Sequence, residues 1–248
     1  IPVRHPARPD ELGELAATIN TMGADIRQML DAKRALLLAI SHELRSPLTR
    51  ARLNTELLPE TLEVQPARDA LLRDLGQMRD LISDLLESER LASPHAALHR
   101  EPVDLAALAG EVVASLEGAP AVKLTAASDL PTLVLDRTRI RLLLRNLLDN
   151  ALRHSVDAPH PPEIDLRAEG SGLRITVRDH GPGVPDDQLA HLARPFYRPD
   201  AARERATGGV GLGLYLCKLV AQAHGGSFTV RNALPGLEVV VTLPLPGA

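Results

Sequence analysis

Along residues 10 to 30 the apolar side chains fall at Leu12, Leu15, Ile19, Met22, Ile26 and Met29, separated by steps of 3, 4, 3, 4 and 3. That spacing is the seam of a helix that packs on another helix, and Asp10 stands where an N-cap belongs. A second seam runs through Leu37, Ile40, Leu44, Leu48, Ala51 and Leu58. Joining the two, from Met29 to Lys33 to Leu37, takes successive steps of four, a stutter that locally unwinds a supercoil. After Pro66 a third helix carries Leu71, Leu75, Met78, Ile82 and Leu85 at the same alternation of steps. A short proline-containing turn between such helices predicts an antiparallel hairpin. Two helices cannot enclose a core, so a four-helix bundle made with a second copy is the natural completion. The alternative is a monomeric bundle that uses the C-terminal half as its lid.

The texture changes after "ASPHAALHREP" at 92–102, which reads as a linker. A helical pattern at 104–117 precedes two strand-like runs, "VKLTAAS" and "LPTLVLD", and then a strong helix from Arg137 to His154. "EIDLRAEGSGLRITVRD" predicts a hairpin with Gly170 and Gly172 in its turn, and "GSFTVRNALPGLEVVVTLPL" a second one. The expected fold is therefore multi-domain: an all-α dimerising hairpin followed by an α+β sandwich, a mixed sheet with helices over one face.

Composition changes this picture in a few places only. A net charge of −4 gives no general attraction to nucleic acid, and with aromatics at 2% stacked-base recognition is not expected. The single cysteine, Cys217, excludes an internal disulfide and sits in an apolar run as a buried hydrophobe. No stretch approaches the roughly 20 apolar residues that span a bilayer, so the chain as given is expected to be soluble. It begins without a Met and reads as a piece of something longer.

Chemistry-bearing residues interrupt the apolar pattern in both halves. In "SHELRSPL" at 41–48, His42 is two residues from both Ile40 and Leu44, about 200° around the helix from each, so it is expected on the solvent side. An exposed imidazole is mostly neutral near pH 7 and offers a ring nitrogen for attack, and Glu43 could take the proton from the other nitrogen. Ser46 lies one turn further on, and Pro47 removes the hydrogen bond to the Glu43 carbonyl, where a bend is expected. In the second half, Asn146, Asn150 and Arg153 form one stripe on a helix otherwise lined with leucine. Amides set among leucines are costly unless something satisfies them; phosphate-bound Mg²⁺ would do so, and so would loops that the amides knit together. Asp179 continues the inward alternation of Leu173, Ile175 and Val177, where a carboxylate needs a donor such as the exocyclic amine of a base. Gly181 and Gly183 let backbone approach a flat ligand. "TGGVGLGLYLCKLV" runs a glycine loop into a helix N-terminus, with neither the preceding strand of a dinucleotide motif nor the Gly-Lys-Ser/Thr of a P-loop. Between these lies "FYRPDAARERATGG", a polar segment expected to act as a lid, with Arg203 and Arg205 placed to reach a terminal phosphate.

With these residues in hand, the chain resembles a bacterial sensor histidine kinase of two-component signalling. "SHELRSPL" resembles its phosphoacceptor box, "NLLDNA" its N box and "DHGPG" its first glycine box; "FYR" is similar to its phenylalanine box and "GGVGLGL" to its second glycine box. Residues 1–30, with "DELGEL" at 10–15, are similar to the second half of a HAMP signal relay, and residues 1–32 are taken as that part with its connecting helix. The resemblance implies a phosphotransfer hairpin over 33–95, a linker at 96–102 and a gyrase-type ATP-binding domain over 103–248. It further implies that His42 takes the γ-phosphoryl group with Glu43 as base, and that Ser46 stands at the position used to dephosphorylate the partner regulator, more often Thr. Asn150 would hold Mg²⁺, Asn146 and Arg153 would lie near the phosphates, and His154 near the base or ribose. Asp179 would bind adenine. Gly181, Gly183, Gly209, Gly211 and Gly213, with Leu214, would shape the pocket and the lid hinge. The implied cofactors are ATP and Mg²⁺, and the implied partners a second copy of the chain and a response-regulator receiver domain. A membrane anchor is expected upstream of residue 1, placing this part on the cytoplasmic side. A non-catalytic ATP-gated scaffold and a gyrase-like ATPase are the alternatives. The latter is disfavoured because Asn146, an amide, stands where gyrase-type enzymes carry a water-activating glutamate.

Overall fold

The structure is a computed structural model. It describes residues 11–59, 61, 64–92, 97–116, 122–155, 158–170, 172–199 and 211–245. Within the first helix the side chains of 11–13, 27, 30–36, 38, 39 and 42 lie outside that set. The expected N-cap Asp10 and the lid residues Arg203, Arg205 and Gly209 also lie outside it. The chain divides into two compact units, one ending at Leu86 and the other starting at Glu87.

The first unit is built from α1 (Glu11–Glu56) and most of α2 (Gln65–Leu91). The first seam and the second as far as Ala51 fall on the one helix α1, which runs through the stutter and through Pro47, while Leu58 lies past its end. The loss of a single hydrogen bond at Pro47 is absorbed by a helix of 46 residues. The hairpin closes where Arg68 of α2 donates to the Thr55 and Glu56 carbonyls at 3.2 and 3.1 Å, satisfying acceptors that the end of α1 leaves open. A cavity of about 460 Å³ lies between the helices, lined by residues including Leu48, Leu53, Leu75 and Ile82.

The second unit is an α+β layer structure. Its main sheet has the order β2 (Lys123–Ala126), β4 (Glu163–Glu169), β5 (Gly172–Arg178), β7 (Leu237–Pro244), β6 (Ser227–Asn232). Only the β2–β4 pair is parallel. Register puts like faces together: Leu166 opposes Ile175, which opposes Val241, and Ile164 opposes Val177, which opposes Val239. These side chains join the core with α3 (Leu105–Ala114), α4 (Arg137–His154) and α6 (Gly213–Ala223). Arg167, Arg174 and Thr176 occupy the alternate positions, as a sheet covered on one face requires. Cys217 is buried as expected, and α4 has the expected limits. A single turn, α5 (Asp186–Leu189), follows β5.

Three expectations change. Gly172 is not in a turn: it opens β5 opposite Glu169, where a Cβ would press on Thr242, while Gly170 takes the left-handed turn position with φ 58°. "LPTLVLD" does not enter the main sheet; β3 (Leu133–Leu135) pairs with β1 (Glu101–Val103) in a separate two-stranded ribbon. That β1 lies partly within the expected linker 96–102, and Leu91 of α2 packs into the core of the second unit. The run was read as linker because three residues with a central proline carry too little alternation to register as a strand.

Candidate functional site

At the end of β5 the alternation carries Asp179 inward, with 3% of its surface exposed. Its backbone N–H donates to the Leu237 carbonyl at 2.9 Å, which extends the β5–β7 ladder by one step. The Leu237 and Gly181 backbone N–H groups both donate to Asp179 Oδ1 at 3.0 Å. Among the described residues no donor reaches Oδ2. One carboxylate oxygen is thus fixed by the fold and the other is left for something else. Two glycines make this possible. A Cβ on Gly181 would overlap the His154 carbonyl oxygen, and one on Gly236, where φ is 90°, would overlap the Asp179 carbonyl.

Facing this strand end is α4. Asn146, Asn150 and Arg153 share one face at steps of 4 and 3. The Asn146 side-chain nitrogen is buried and has no hydrogen-bond partner among the described residues. Its oxygen lies 3.2 Å from where a Cβ on Gly213 would stand, so the start of α6 sits directly on this amide. An unpartnered buried amide costs about 1–3 kcal/mol, which argues that a ligand atom completes it. Just before α6, Gly211 takes φ 78° and its carbonyl accepts from Phe196 N–H at 3.0 Å, so the phenylalanine-box segment is tied to the glycine loop at the foot of the helix. Leu214 is partly buried against the core.

Charges around the pocket follow burial. Desolvation raises Asp149 above the usual carboxylate range, against the pull of Arg145 and Arg153. Desolvation, helped by Arg178, lowers His180 below the ordinary imidazole value. His154 contributes its carbonyl to the wall against Gly181, while its side chain is exposed. Along α4, Asn146 therefore lies against Gly213 at the start of α6, and further on Gly181 lies between the His154 carbonyl and Asp179, with Asn150 and Arg153 on the same helix face as Asn146. Gly183, φ 73°, lies beside Asn232.

Sequence reasoning missed Asn232. Its Nδ2 donates to the Val184 carbonyl and to Asp186 Oδ1, both at 2.8 Å, and its Oδ1 accepts from Val184 N–H at 3.1 Å. It pins the loop after "DHGPG" to the end of β6. Only its place before the "ALPG" turn marked it, and an asparagine there reads as ordinary turn chemistry. Gly236 was missed for the same reason.

On α1, Glu43 and Ser46 are exposed, and the Ser46 hydroxyl accepts from Arg50 Nη1 at 2.5 Å. His42 belongs to α1, and its side chain is outside the described set.

The chain matches two family models. Residues 32–94 match the His Kinase A (phospho-acceptor) domain, and residues 135–247 match the histidine kinase-, DNA gyrase B-, and HSP90-like ATPase. It is 33% identical over 247 residues to the signal transduction histidine-protein kinase BaeS of Escherichia coli, covering 97% of this chain and 53% of that protein. It is 33% identical over 252 residues to the Escherichia coli sensor histidine kinase CpxA, covering 98% and 54%. The chain thus spans about half the length of the curated relatives it matches. Among solved structures, full-length ShkA in complex with AMPPNP superposes with a TM-score of 0.69 at 29% identity, covering 86% of this chain and 46% of that one. The Acinetobacter baumannii histidine kinase AdeS shares the fold, with a TM-score of 0.60 at 21% identity over 83% of this chain and 98% of that one.

Proposed function

The chain belongs to the bacterial sensor histidine kinases of two-component signalling, and from that premise we propose that it moves the γ-phosphoryl group of ATP onto His42 and then onto an aspartate of a response-regulator receiver domain. The observation that carries the nucleotide half of this reading is Asp179, with one oxygen fixed by two backbone amides and the other without a donor among the described residues. A hydrogen-bond donor on a flat base, the adenine amine, completes that carboxylate. Asn146 and Arg153 face the phosphates, and Asn150 holds Mg²⁺, whose preference for hard oxygen ligands suits an amide carbonyl. The AMPPNP held by the related ShkA supports ATP as the ligand.

In the transfer step a ring nitrogen of His42 forms a bond to the γ-phosphorus as the bond to the bridging β–γ oxygen breaks, and ADP leaves. Glu43 accepts the proton from the other ring nitrogen. A receiver aspartate oxygen then takes the phosphoryl group from the imidazole. The protein contributes positioning and charge neutralisation more than covalent chemistry. Ser46 supplies the hydroxyl for dephosphorylating the regulator. The chain pairs with a second copy through α1 and α2, since Ile40, Leu44 and Met78 are left 45%, 42% and 50% exposed in the single hairpin. Among the described residues no helix is long and apolar enough to cross a membrane. The full-length protein carries its anchor upstream of residue 1, with this part on the cytoplasmic side and residues 1–32 relaying the signal.

The test is incubation with γ-labelled ATP and Mg²⁺. Wild type acquires an acid-labile, alkali-stable label and His42→Gln acquires none. A label that resists acid, or one retained by His42→Gln, refutes the proposal.

A further inference from the structure

Away from the nucleotide pocket, the far ends of its two helices meet in a buried polar cluster. Asp136 caps α4: Oδ1 accepts from Arg139 N–H at 3.1 Å, and Oδ2 accepts from His99 N–H at 3.0 Å. Its own backbone N–H donates to His224 Nε2 at 3.0 Å. His224 stands at the C-cap of α6, and its Nδ1 lies 2.8 Å from the Val220 carbonyl oxygen. A carbonyl only accepts, so Nδ1 carries the proton and Nε2 is free to receive one from Asp136. Asp136 and His224 are both buried. The start of α4 is thereby bonded to the end of α6.

Arg139 joins a third element to this pair. Its Nε lies 2.9 Å from Glu87 Oε1 and 3.7 Å from Asp136 Oδ2, and its Nη1 donates to the Ala97 carbonyl at 3.1 Å. Glu87 lies near the C-terminus of α2, one turn before Leu91, which is in the core. The Arg139 side chain is 13% exposed, so its charge depends on these partners. At 1.5 Å per residue, Asn146 and Asn150 lie about 15 and 21 Å along α4 from Asp136 and about 10 and 17 Å from Arg139. A helix transmits a shift of its cap along its length, and α6, fixed at its far end to Asp136, rests its first residue on Asn146.

We infer that Arg139 is a positioning residue: by holding Glu87 it makes the end of α2 set the placement of α4 and α6, and with it the affinity for Mg-ATP. This rests on the proposed reading of those two helices as the nucleotide-holding pair. It gives the last turn of α2, from Glu87 on, an indirect hold on the ATP site through α4 and α6.

The test compares Glu87→Gln, Arg139→Gln and the double variant with wild type in the full 248-residue chain. Glu87→Gln keeps size and helix propensity, so it retains the fold. Its KM for Mg-ATP in autophosphorylation, and its Kd by calorimetry, rise about five- to tenfold, while the rate at saturating ATP stays within about twofold of wild type. The double variant is no weaker than Arg139→Gln alone. An unchanged Kd in Glu87→Gln with a lowered Tm means that the cluster merely holds the fold, and overturns the inference. Effects that add in the double variant overturn it too, because the two side chains then act separately. Wild type that binds no Mg-ATP defeats the nucleotide reading itself, whereas tight wild-type binding with insensitive variants defeats only the role of Arg139.

Discussion

The two units of this chain bury their apolar side chains to very different extents. In the second, Leu108, Leu143, Ile175 and Val241 are fully buried by other elements of the same unit. In the first, Leu15, Ile19, Met22, Ile26 and Met29 lie along one seam of α1 at 41–73% exposure. One unit closes its own core and the other leaves its seam open. Apolar area exposed at this density is what the proposed pairing with a second copy would cover. The contrast separates two jobs, since a closed globule can hold a nucleotide in a fixed pocket while an open hairpin can present a residue and respond to how its helices pair. Stability of the first should be independent of chain concentration, and that of the second should not.

Substitutions confined to one unit break this comparison where it is strongest. Asn150→Ala removes the amide proposed to hold Mg²⁺ and is expected to lower labelling by at least about 100-fold, while sedimentation still reports a dimer. A retained Mg²⁺-dependent label removes Asn150 from its role. Asp179→Asn turns the acceptor oxygen pair into a mixed donor and acceptor, and weakens ATP about tenfold while GTP is little changed. Equal losses for both nucleotides, read by calorimetry, would remove the adenine assignment. Gly181→Ala places a methyl group against the His154 carbonyl, which lowers stability of the second unit by about 1–3 kcal/mol and leaves dimerisation intact. Chemical denaturation followed by a probe in each unit measures both. Ile40→Asp acts on the other side of the comparison: it puts a charge in the open seam, gives monomers by sedimentation, and leaves Mg-ATP affinity within about twofold. A persisting dimer would place the interface elsewhere.

The smallest effect is expected from acid. Burial lowers the pKa of both His180 and His224 in the folded state, so the unfolded chain binds protons first as pH falls. Their contribution to stability is complete above about pH 6.5 and is lost as pH drops below it toward the folded values. The Tm of the second unit should decline through that window, and His180→Asn should flatten the decline.

How much of this was legible depended on periodicity. The helix from about Arg137 to His154 was readable because leucines cover most of its circumference, while its cap, Asp136 accepting from Arg139 N–H, comes from the structure. The inward aim of Asp179 followed from three alternating apolar residues before it. What escaped was fixed by contacts between distant segments. Strand β1 is only three residues long and exists because Val103 finds Leu133 across the ribbon. The role of Asn232 depends on a loop 48 residues away in sequence, and that of His224 on a backbone amide 88 residues away. No local pattern announces either one. Placing the end of α2 with the second unit likewise required seeing Leu91 in its core and Glu87 against Arg139.

The central claim is that the open hairpin carries the phosphoacceptor and the closed globule carries the donor. Mass spectrometry of the chain after brief exposure to Mg-ATP, under alkaline conditions that preserve phosphoramidates, tests it most directly. One phosphoryl group is expected on the peptide containing His42 and none on any residue of the second unit. A phosphoryl group found instead on Ser41, Ser46 or a residue beyond Glu87 would contradict it.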